Sequence, residues 1–317
     1  MKAGKLSMKM LYIPGEDEFR LPKTKYEYKY RRPQKRRIHI GWFLLLALVL
    51  GLLSYPFLEA GTLNIEEHTL YAVDLPANLK NIKIAYATDI HQSLWFSQER
   101  ANELVRTLNN MSADLIILGG DYATDSTSAI EFFRNLPRLT ARLGVFGVLG
   151  NHDRTEPESN LSTLIAEMKN AGVIPLVNSV ESVKVGQSYI RIAGVDDYYN
   201  GYPNVAGVAA QVKVSDFVIF AGHTPDLMPD VLKARSAEND SHWFDLALFG
   251  HTHGGQISVL GHTPFSNLSP AVGARYLSGW LEENRASILI SNGVGTSVVP
   301  ARLFVPPQIH LITLKSR

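Results

Sequence analysis

Five short apolar runs in this sequence each lead into a polar residue that can bind a metal ion, usually beside a glycine. In open α/β sheets, ligands bind beyond the carboxyl ends of the strands. If the runs are strands of such sheets, the polar residues that follow them converge on one site. The runs are residues 84–87, 115–118, 145–149, 218–221 and 246–249. The residues that follow are Asp89, His91, Asp121, Asn151, His152, Asp153, His223, His251 and His253.

Strand-like and helix-like stretches alternate from about residue 60 onward, which predicts a layered α/β domain. Near the end, three strands without helices between them predict a mixed sheet edge. The predicted strands are residues 82–87, 115–118, 145–149, 190–195, 217–221, 246–249, 257–259, 287–290 and 309–314. The predicted helices lie near residues 97–110, 128–138, 159–171 and 226–236.

The available metal ligands are hard or borderline, because the sequence has no cysteine. Carboxylate, amide oxygen and imidazole suit Mn, Fe or Zn. Two dications held close together need a shared anion between them, and an aspartate such as Asp121 can bridge through its two oxygens. Such a pair can clamp a phosphate and acidify a water molecule. The site chemistry therefore points to phosphoester hydrolysis.

The polar residues fall into five blocks that match, in order, the motifs of the calcineurin-like metallophosphoesterases. The sequence resembles that family from about Leu63 to the C-terminus. Its tail, Gly293 to Phe304, is similar to a bacterial membrane-linked branch that includes the UDP-2,3-diacylglucosamine pyrophosphatases of lipid A synthesis. The resemblance implies an α/β four-layer sandwich of two mixed β-sheets flanked by helices. The blocks are Asp89-Ile90-His91, Gly120-Asp121, Gly150-Asn151-His152-Asp153, Gly222-His223 and Gly250-His251-Thr252-His253.

The resemblance also implies a role for each matched residue. The cofactors would be two divalent transition metals, with Mn favoured and Fe or Zn as alternatives. His152 would contact the phosphate and protonate or stabilise the leaving oxygen, and Asp153 would orient His152. One metal would be held by Asp89, His91 and His253, the other by Asn151, His223 and His251, with Asp121 bridging them.

Two positions depart from the patterns of the family. Gln92 follows His91 where small residues are frequent, which leaves the shape of that loop open. Purple acid phosphatases carry a tyrosine three residues beyond the bridging aspartate, and this chain has Thr124 there. Tyr122 is adjacent to Asp121 and does not substitute for it. An iron(III)–tyrosinate centre is therefore not expected.

Residues 38–58 contain no Lys, Arg, Asp or Glu and predict a single membrane anchor. At about 1.5 Å per residue they span roughly 30 Å, the thickness of a bilayer core. A buried core helix, a cleaved signal peptide and twin-arginine export through Arg36-Arg37 are the alternatives. An uncleaved anchor is favoured because the stretch is apolar on all faces and follows a long basic segment. Residues 1–37 then form a basic, disordered or interfacial arm, and residues 60–317 the metallophosphoesterase domain.

Charge is distributed unevenly between the two sides of this stretch. Residues 1–37 hold 12 Lys and Arg against 4 Asp and Glu, and the remainder holds 19 against 26. The positive-inside rule then places the arm in the cytoplasm and the catalytic domain outside the cytoplasmic membrane. A nucleotide-lipid pyrophosphatase would meet its substrate at the cytoplasmic face instead, so these two expectations conflict. The overall net charge of +1 gives no reason to expect a nucleic acid partner.

The favoured function is two-metal hydrolysis of phosphate ester or pyrophosphate bonds at the membrane. The substrate would be a phosphorylated, lipid-linked or nucleotide-lipid molecule such as UDP-2,3-diacylglucosamine. The alternatives are an envelope phosphodiesterase or phosphomonoesterase acting on lipid phosphates, a signalling protein phosphatase, and a catalytically inactive binding module that retains the fold. The sequence gives no oligomeric state.

Several further residues have two interpretations each. The pair Asp196-Asp197 either supports the site or faces the substrate, or it forms a plain turn. Arg275 and Arg302 either face phosphate or lie on the surface. Three aromatic residues either line a lipid-facing mouth or pack in the core, namely Trp95, Phe96 and Trp280. The isolated histidines are expected not to bind metal, and they are His68, His242, His262 and His310.

Overall fold

The computed structural model describes residues 40–264 and 271–317. The predicted arm, residues 1–37, lies outside the described residues. The chain divides into two compact units, residues 1–47 and 48–317, and of the first unit the structure describes only the beginning of one helix. That helix is α1, Ile40–Glu59. In the described part of the chain, α1 is the one helix long and apolar enough to cross a membrane, a test of length and composition that a signal sequence also passes.

The first sheet has six strands in the order β1-β12-β2-β3-β4-β5. Strands β2 to β5 run parallel, and β12 is antiparallel to β2 and parallel to β1. The strands are β1 Asn64–Ala72, β2 Lys83–Ala87, β3 Leu115–Leu118, β4 Val145–Gly147, β5 Ile174–Pro175 and β12 Gln308–Ser316. The connecting helices are α2 Gln98–Asn110, α3 Ser126–Asn135 and α4 Asn160–Asn170.

The second sheet also has six strands, in the order β10-β11-β9-β8-β7-β6. Its four central strands run parallel, and each edge strand pairs antiparallel with its neighbour. The strands are β6 Ser179–Val185, β7 Ser188–Gly194, β8 Phe217–Ala221, β9 Leu246–Phe249, β10 Gly279–Glu283 and β11 Ala286–Ile290. Two short helices accompany this sheet, α5 Val205–Ala209 and α6 Met228–Lys233.

Successive apolar side chains of each central strand pack alternately between the two sheets and against the outer helices, which gives four layers. In β2, Ile84 and Tyr86 pack between the two sheets, whereas Ala85 and Ala87 face the helices of the first sheet. In β8, Ile219 packs between the sheets, and its neighbours on either side pack against the short helices. Successive side chains of a strand point to opposite faces, so apolar runs without polar interruptions are what a doubly covered sheet requires. The predicted four-layer fold is confirmed.

Helix α2 illustrates how the outer layer is fixed by sequence. Ser97 caps its N-terminus by accepting a hydrogen bond from the backbone N–H of Arg100 at 3.5 Å. The buried side chains recur at helical spacing and face the first sheet. They are Ala101, Leu104, Val105 and Leu108.

The predicted strand over residues 257–259 is wrong. Ile257 makes a single bridge to Leu303, and Val259 bridges to His262 across a tight turn. Leu260 and Gly261 both adopt positive φ there, which interrupts an extended strand. Four strands escaped prediction, namely β1, β5, β6 and β10. Strand β5 has only two residues, and each of the other three is mostly exposed or half-buried and carries charged residues.

Candidate metal centre

The polar residues that follow β2, β3, β4, β8 and β9 meet where the two sheets end side by side. Backbone hydrogen bonds hold the loops in register. The N–H of Asp89 donates to the carbonyl of Gly120 at 3.0 Å, and that of His91 to the carbonyl of Asp121 at 3.0 Å. The side chain of Asp89 reaches the loop after β9, accepting from the backbone N–H of His251 at 3.0 Å. The two sheets are thereby joined at the site.

Five of these residues hold the left-handed backbone conformation, which is uncommon for any residue other than glycine. Strain of this kind persists only where the surroundings enforce it, and it concentrates at functional sites. Each φ lies between +47° and +67°. The five residues are Asp89, His91, Asp121, His251 and His253.

Asp89, His91 and His253 form the first ligand cluster. The two Nε2 atoms of His91 and His253 are 3.1 Å apart. Nε2 of His253 lies 3.5 Å from Oδ1 of Asp89, and Nε2 of His91 lies 4.0 Å from the same oxygen. All three side chains are buried. Their donor atoms surround a space that suits one cation.

Asp121, His223 and His251 form the second cluster. Nε2 of His223 lies 3.1 Å from Oδ2 of Asp121. The amide oxygen of Asn151 joins the group, 2.9 Å from Nδ1 of His251. Oδ2 of Asp121 is also 3.4 Å from Nε2 of His91, a member of the first cluster. Asp121 therefore lies between the two clusters, as a bridging ligand must.

His223 tests whether the residues fit a metal ion. Its Nδ1 lies 2.8 Å from the carbonyl of Gly119, and because a carbonyl only accepts, Nδ1 carries the proton. Its Nε2 is buried beside the carboxylate of Asp121, 3.1 Å from Oδ2, and within the described residues it makes no hydrogen bond of good geometry. A ligand histidine typically donates its second nitrogen in this way, which orients the ring and aims the other nitrogen at the metal. The residues fit a metal centre.

Charge at the site supports the same conclusion. Burial would lower the pKa of His223, but Asp121, Asp89 and Asp197 outweigh it and raise that pKa to about 10. Burial raises the pKa of Asp89 to about 6. Burial would also raise the pKa of Asp121, but the neighbouring His223 and His91 hold it well below its usual range. The site therefore gathers negative charge, which is the environment that a metal cation requires.

The other ligand histidines are neutral. Burial lowers the pKa of His91 to about 4 and that of His251 to about 4. Burial, the nearby His91 and the cation of Arg302 together put the pKa of His253 well below its usual value. Neutral imidazole is the form that binds metals.

His152 is half-buried at the mouth of the site. Its Nδ1 lies 2.8 Å from the carbonyl of Thr124, and its backbone N–H donates to Oδ1 of Asp121 at 2.9 Å. Its ring meets that of His91 edge-on, with 4.9 Å between centroids. It can also be grouped with His91 and Asp121 as a metal ligand by distance alone.

Asp153 does not orient His152 as expected; the carbonyl of Thr124 does. The buried carboxylate of Asp153 accepts three backbone N–H groups, from Asp121 at 2.7 Å, Gly150 at 2.8 Å and Tyr122 at 3.0 Å. Burial and the nearby Asp121 raise its pKa to about 7. Asp153 therefore ties the loop after β3 to the loop after β4.

The pair Asp196-Asp197 belongs to the surroundings of the site. Oδ2 of Asp197 accepts the backbone N–H groups of Tyr199 and Asn200, and Asn200 in turn donates to the carbonyl of Asn151 at 2.8 Å. Asp196 lies 3.0 Å from Nε of the buried Arg154. The loop after β7 therefore braces the loop that carries Asn151.

Arg302 neither lies on the surface nor is placed to meet phosphate. It is fully buried, and its guanidinium donates to the carbonyls of Asn292 at 2.7 Å and Val305 at 3.0 Å. Its Nη2 lies 3.3 Å from Nδ1 of His253. Arg275, by contrast, is exposed and pairs with Glu283 at 2.7 Å.

The three aromatic residues and the isolated histidines differ in burial and in their contacts. Trp95 is exposed, Phe96 is buried, and Trp280 stacks on His68 with 4.0 Å between ring centroids. His310 is buried and lies 2.9 Å from the hydroxyl of Ser291. Among the described residues, none of the isolated histidines joins a group able to hold a metal ion.

Sequence reasoning missed two supports of the site. Thr88 donates its hydroxyl to Oδ2 of Asp89 at 2.9 Å. Tyr199 lies 5.3 Å from His251 by ring centroid and donates its hydroxyl to Asp226 at 2.7 Å. Thr88 directly precedes Asp89, so its position in the motif was a usable signal. Nothing in the sequence links Tyr199 to the loop after β9.

Comparison with known proteins agrees with this geometry. A family model described as calcineurin-like phosphoesterase matches residues 82–255. Metallophosphoesterase YkuE of Bacillus subtilis is 27% identical over 266 residues, which cover 82% of this chain and 88% of the relative. A metallophosphoesterase of Aquifex aeolicus is 28% identical over 282 residues, covering 86% and 99%. Phosphodiesterase YaeI of Escherichia coli is 28% identical over 240 residues, covering 75% and 83%. The chain belongs to the calcineurin-like phosphoesterase family and is a metal-dependent hydrolase.

Proposed function

We propose that this protein hydrolyses phosphate ester or pyrophosphate bonds at a membrane, using two divalent transition metals. The observation that carries the proposal is the position of Asp121. One of its oxygens lies 3.4 Å from Nε2 of His91 and 3.1 Å from Nε2 of His223, so a single carboxylate touches both ligand clusters. Asp89, His91 and His253 would hold one metal, and Asn151, His223 and His251 the other. Mn is favoured, with Fe or Zn as alternatives.

Two metals bound here would neutralise phosphate oxygens and lower the pKa of a water molecule. The chain's own residues hold this arrangement. Asp89 is fixed by Thr88 and the backbone of His251, and His223 by the carbonyl of Gly119. Because each ligand is oriented by a second group, the site is organised before substrate arrives.

We assign His152 to the departing oxygen. The carbonyl of Thr124 accepts from Nδ1, so Nδ1 carries a proton and a second proton would sit on Nε2. His152 is half-buried, whereas Asp121 and His91 are buried. A ring so held can donate a proton from Nε2 to a leaving group bound at the mouth of the site. Asp153 acts through the backbone, by holding the loops of Asp121 and His152.

A lipid-linked phosphoester is the substrate class that the chain favours. Support comes from α1, an exposed apolar helix that directly precedes the catalytic domain. We take residues 38–58 as the anchor, 1–37 as a basic arm, and 60–317 as the enzyme. A nucleotide-lipid such as UDP-2,3-diacylglucosamine is one candidate, which requires a cytoplasmic domain.

A second candidate is an envelope phosphodiesterase acting on lipid phosphates. It is favoured by the charge asymmetry across the apolar stretch, which orients the catalytic domain away from the cytoplasm. The similar protein YaeI carries the name phosphodiesterase, which fits a diester better than a pyrophosphate. The candidates differ in sidedness and therefore in the substrate they can reach.

Metal analysis of the purified full chain tests the proposal. We expect about two transition metal ions per chain, and hydrolysis of bis-p-nitrophenyl phosphate that chelation abolishes and added Mn restores. Asp121→Asn, which keeps the shape but weakens the bridge, should lower both metal content and turnover. A protein without metal that Mn does not stimulate would contradict the two-metal assignment.

A further inference from the structure

Two loops beside the metal centre expose large apolar side chains. Leu94 is 96% exposed and Val298 is 97% exposed, values rare for aliphatic residues in a folded domain. Trp95 and Phe304 are 64% and 67% exposed. We call this set the apolar rim, consisting of Leu94, Trp95, Val298, Val299 and Phe304.

The rim has no charged neighbours within its own loops. Residues 92–97 and 293–301 contain no Lys, Arg, Asp or Glu. Arg302, the next residue, is buried with its guanidinium directed at carbonyl groups. Arg100 of the following helix lines a cavity with Trp95 and donates to its carbonyl at 3.1 Å, so the rim has a cation beside it. Soluble surfaces mix charged residues among the apolar ones, and an apolar cluster of this size marks an interaction surface.

Two rim residues have a strained backbone conformation, which indicates that their side chains serve a contact outside the domain. Val298 has φ of +64° and Phe304 has φ of +56°. The left-handed conformation favours glycine or asparagine and is strongly disfavoured for a β-branched residue. Folding of the isolated domain alone would therefore favour a different residue at Val298.

The rim is continuous with the end of α1. The rings of Tyr55 and Phe304 are 6.2 Å apart by centroid, and the backbone N–H of Arg302 donates to the carbonyl of Pro56 at 2.8 Å. Phe57 and Trp95 line one cavity of about 190 Å³. The last turn of α1 and the rim therefore form a single apolar surface.

The rim also adjoins the metal centre. A cavity of about 260 Å³ has His253, Val298 and Val299 among its lining residues. A surface that met the rim would come directly beside a metal ligand. The rim is thus placed between the anchor and the site.

We propose that the apolar rim enters the interface of a lipid bilayer and holds the metal centre against the headgroup phosphates. The occupant is the membrane, because the rim continues the apolar surface of residues 48–58 of α1, which are exposed except for the half-buried Pro56. Amphipathic aromatic and aliphatic side chains bind this region through apolar burial. The proposal rests on the proposed membrane function and adds a second contact, made by the catalytic domain itself.

The absence of cysteine from the chain allows a direct test. The full chain is reconstituted in phosphatidylethanolamine–phosphatidylglycerol nanodiscs with one cysteine introduced at a time, each carrying an environment-sensitive fluorophore. The rim positions are Leu94→Cys and Val298→Cys. The matched controls are Val214→Cys and Tyr189→Cys, at residues 39% and 45% exposed that lie outside the rim. A spin label attached to the lipid then quenches any fluorophore that enters the bilayer.

We expect quenching at both rim positions and none at the controls. Equal quenching at all four positions, or none at the rim, would overturn the proposal. A fluorescence change at the rim that lipid spin labels do not quench, and that grows with the number of chains per disc, would assign the rim to a second copy instead. The readout needs no catalysis, so it stands apart from a failure of the proposed function.

Val298→Asn supplies the functional test. Asparagine tolerates positive φ, so the variant should fold at least as well as the wild type. We expect a loss of roughly three- to tenfold in activity on a vesicle-borne phosphodiester, the scale of losing part of one buried aliphatic side chain. Because Val298 lines the cavity beside His253, the readout is the loss on vesicles relative to the same variant's activity on soluble bis-p-nitrophenyl phosphate, and Val214→Asn should change neither activity. Equal activity of Val298→Asn and wild type on vesicles would contradict the proposal.

Discussion

The guanidinium of Arg302 lies 3.3 Å from Nδ1 of His253, a member of the first candidate cluster, and both side chains are buried. The same residue donates its backbone N–H to the carbonyl of Pro56 in the last turn of α1. Arg302 therefore connects the end of the apolar helix, through its backbone, to His253 of the first cluster, through its guanidinium. Its positive charge also helps to keep His253 neutral, ready to bind a cation.

Arg302→Lys should destabilise the protein and weaken metal binding. The guanidinium donates hydrogen bonds to the carbonyls of Asn292, Gly295 and Val305, and a single lysine nitrogen cannot reach all three. Each buried carbonyl left unpaired costs about 1–3 kcal/mol, so we expect a loss of roughly 2–4 kcal/mol in unfolding free energy. Denaturant unfolding measures it, and the exposed Arg275→Lys is the control. A change no larger than that of the control would contradict the buried role.

His152→Ala should lower turnover by about 100-fold or more, the scale of a general acid, without removing metal. Asp121→Ala should remove metal as well as activity, because Asp121 touches both clusters. Metal content and kcat of the two variants are compared side by side. If His152→Ala strips a metal, His152 is a ligand, as its distance from His91 and Asp121 also permits.

Asp245→Asn should stabilise the protein at neutral pH and have no effect in acid. Burial raises the pKa of Asp245 to about 6, above its ordinary value of 3.8. The folded state therefore holds this proton more tightly than the unfolded state. The stabilisation of the folded state by this bound proton is complete below about pH 4 and is lost as the pH rises through about 6. Above that, the buried charge costs roughly 3 kcal/mol, which the amide removes.

Urea unfolding of Asp245→Asn and wild type at pH 4 and pH 8 measures the difference. The backbone N–H of Val218, which donates to Asp245 at 2.7 Å, can still donate to the amide oxygen. The exposed Asp74→Asn is the control. An equal gain at both pH values would exclude titration as the cause.

Two truncations should differ in stability. Deleting residues 1–54 keeps the carbonyls of Pro56 and Ala60 and the carboxylate of Glu59. These groups accept from Arg302, Arg100 and the backbone of Phe304. Deleting residues 1–60 removes all three acceptors and should cost about 1–3 kcal/mol more in unfolding free energy. Both should be soluble and active, since the ligand blocks begin at Asp89.

Thermal unfolding and activity of the two truncated proteins decide the matter. Insolubility and inactivity of both, beside an active full chain, would mean that the apolar helix is part of the fold. Equal stability of the two would mean that the contacts of residues 56–60 contribute nothing measurable.

A reporter that works only in the cytoplasm, fused after Arg317, should be silent. The basic residues before the apolar stretch include Arg31, Arg32, Lys35, Arg36 and Arg37, and no Lys or Arg follows the stretch until Lys80. Such a bias places the N-terminus in the cytoplasm and the catalytic domain across the membrane. An active reporter would favour a cytoplasmic nucleotide-lipid substrate, and a silent one a lipid phosphate or envelope phosphodiester.

Much of the site is predictable from the amino-acid sequence because each ligand block directly follows an apolar strand. The rule that ligands gather beyond the carboxyl ends of strands is enough to group Asp89, Asp121 and His223. The burial of Arg302 is not predictable in this way, because it depends on residues far away in sequence, including Pro56 and Asn292. The role of Asp153 is hidden for another reason: proximity in a motif does not reveal that a carboxylate serves backbone N–H groups.

The position of β12 constrains how the protein is made. The last strand of the chain lies between β1 and β2, and β1 pairs with no other strand of the described sheets. During synthesis, the segment that follows the apolar helix therefore has no partner until the final residues, Gln308–Ser316, have left the ribosome. Contacts so distant in sequence form late and slowly. Without β12, β1 would have no partner and β2 would have one unpaired edge, while β2 to β5 could still pair with one another.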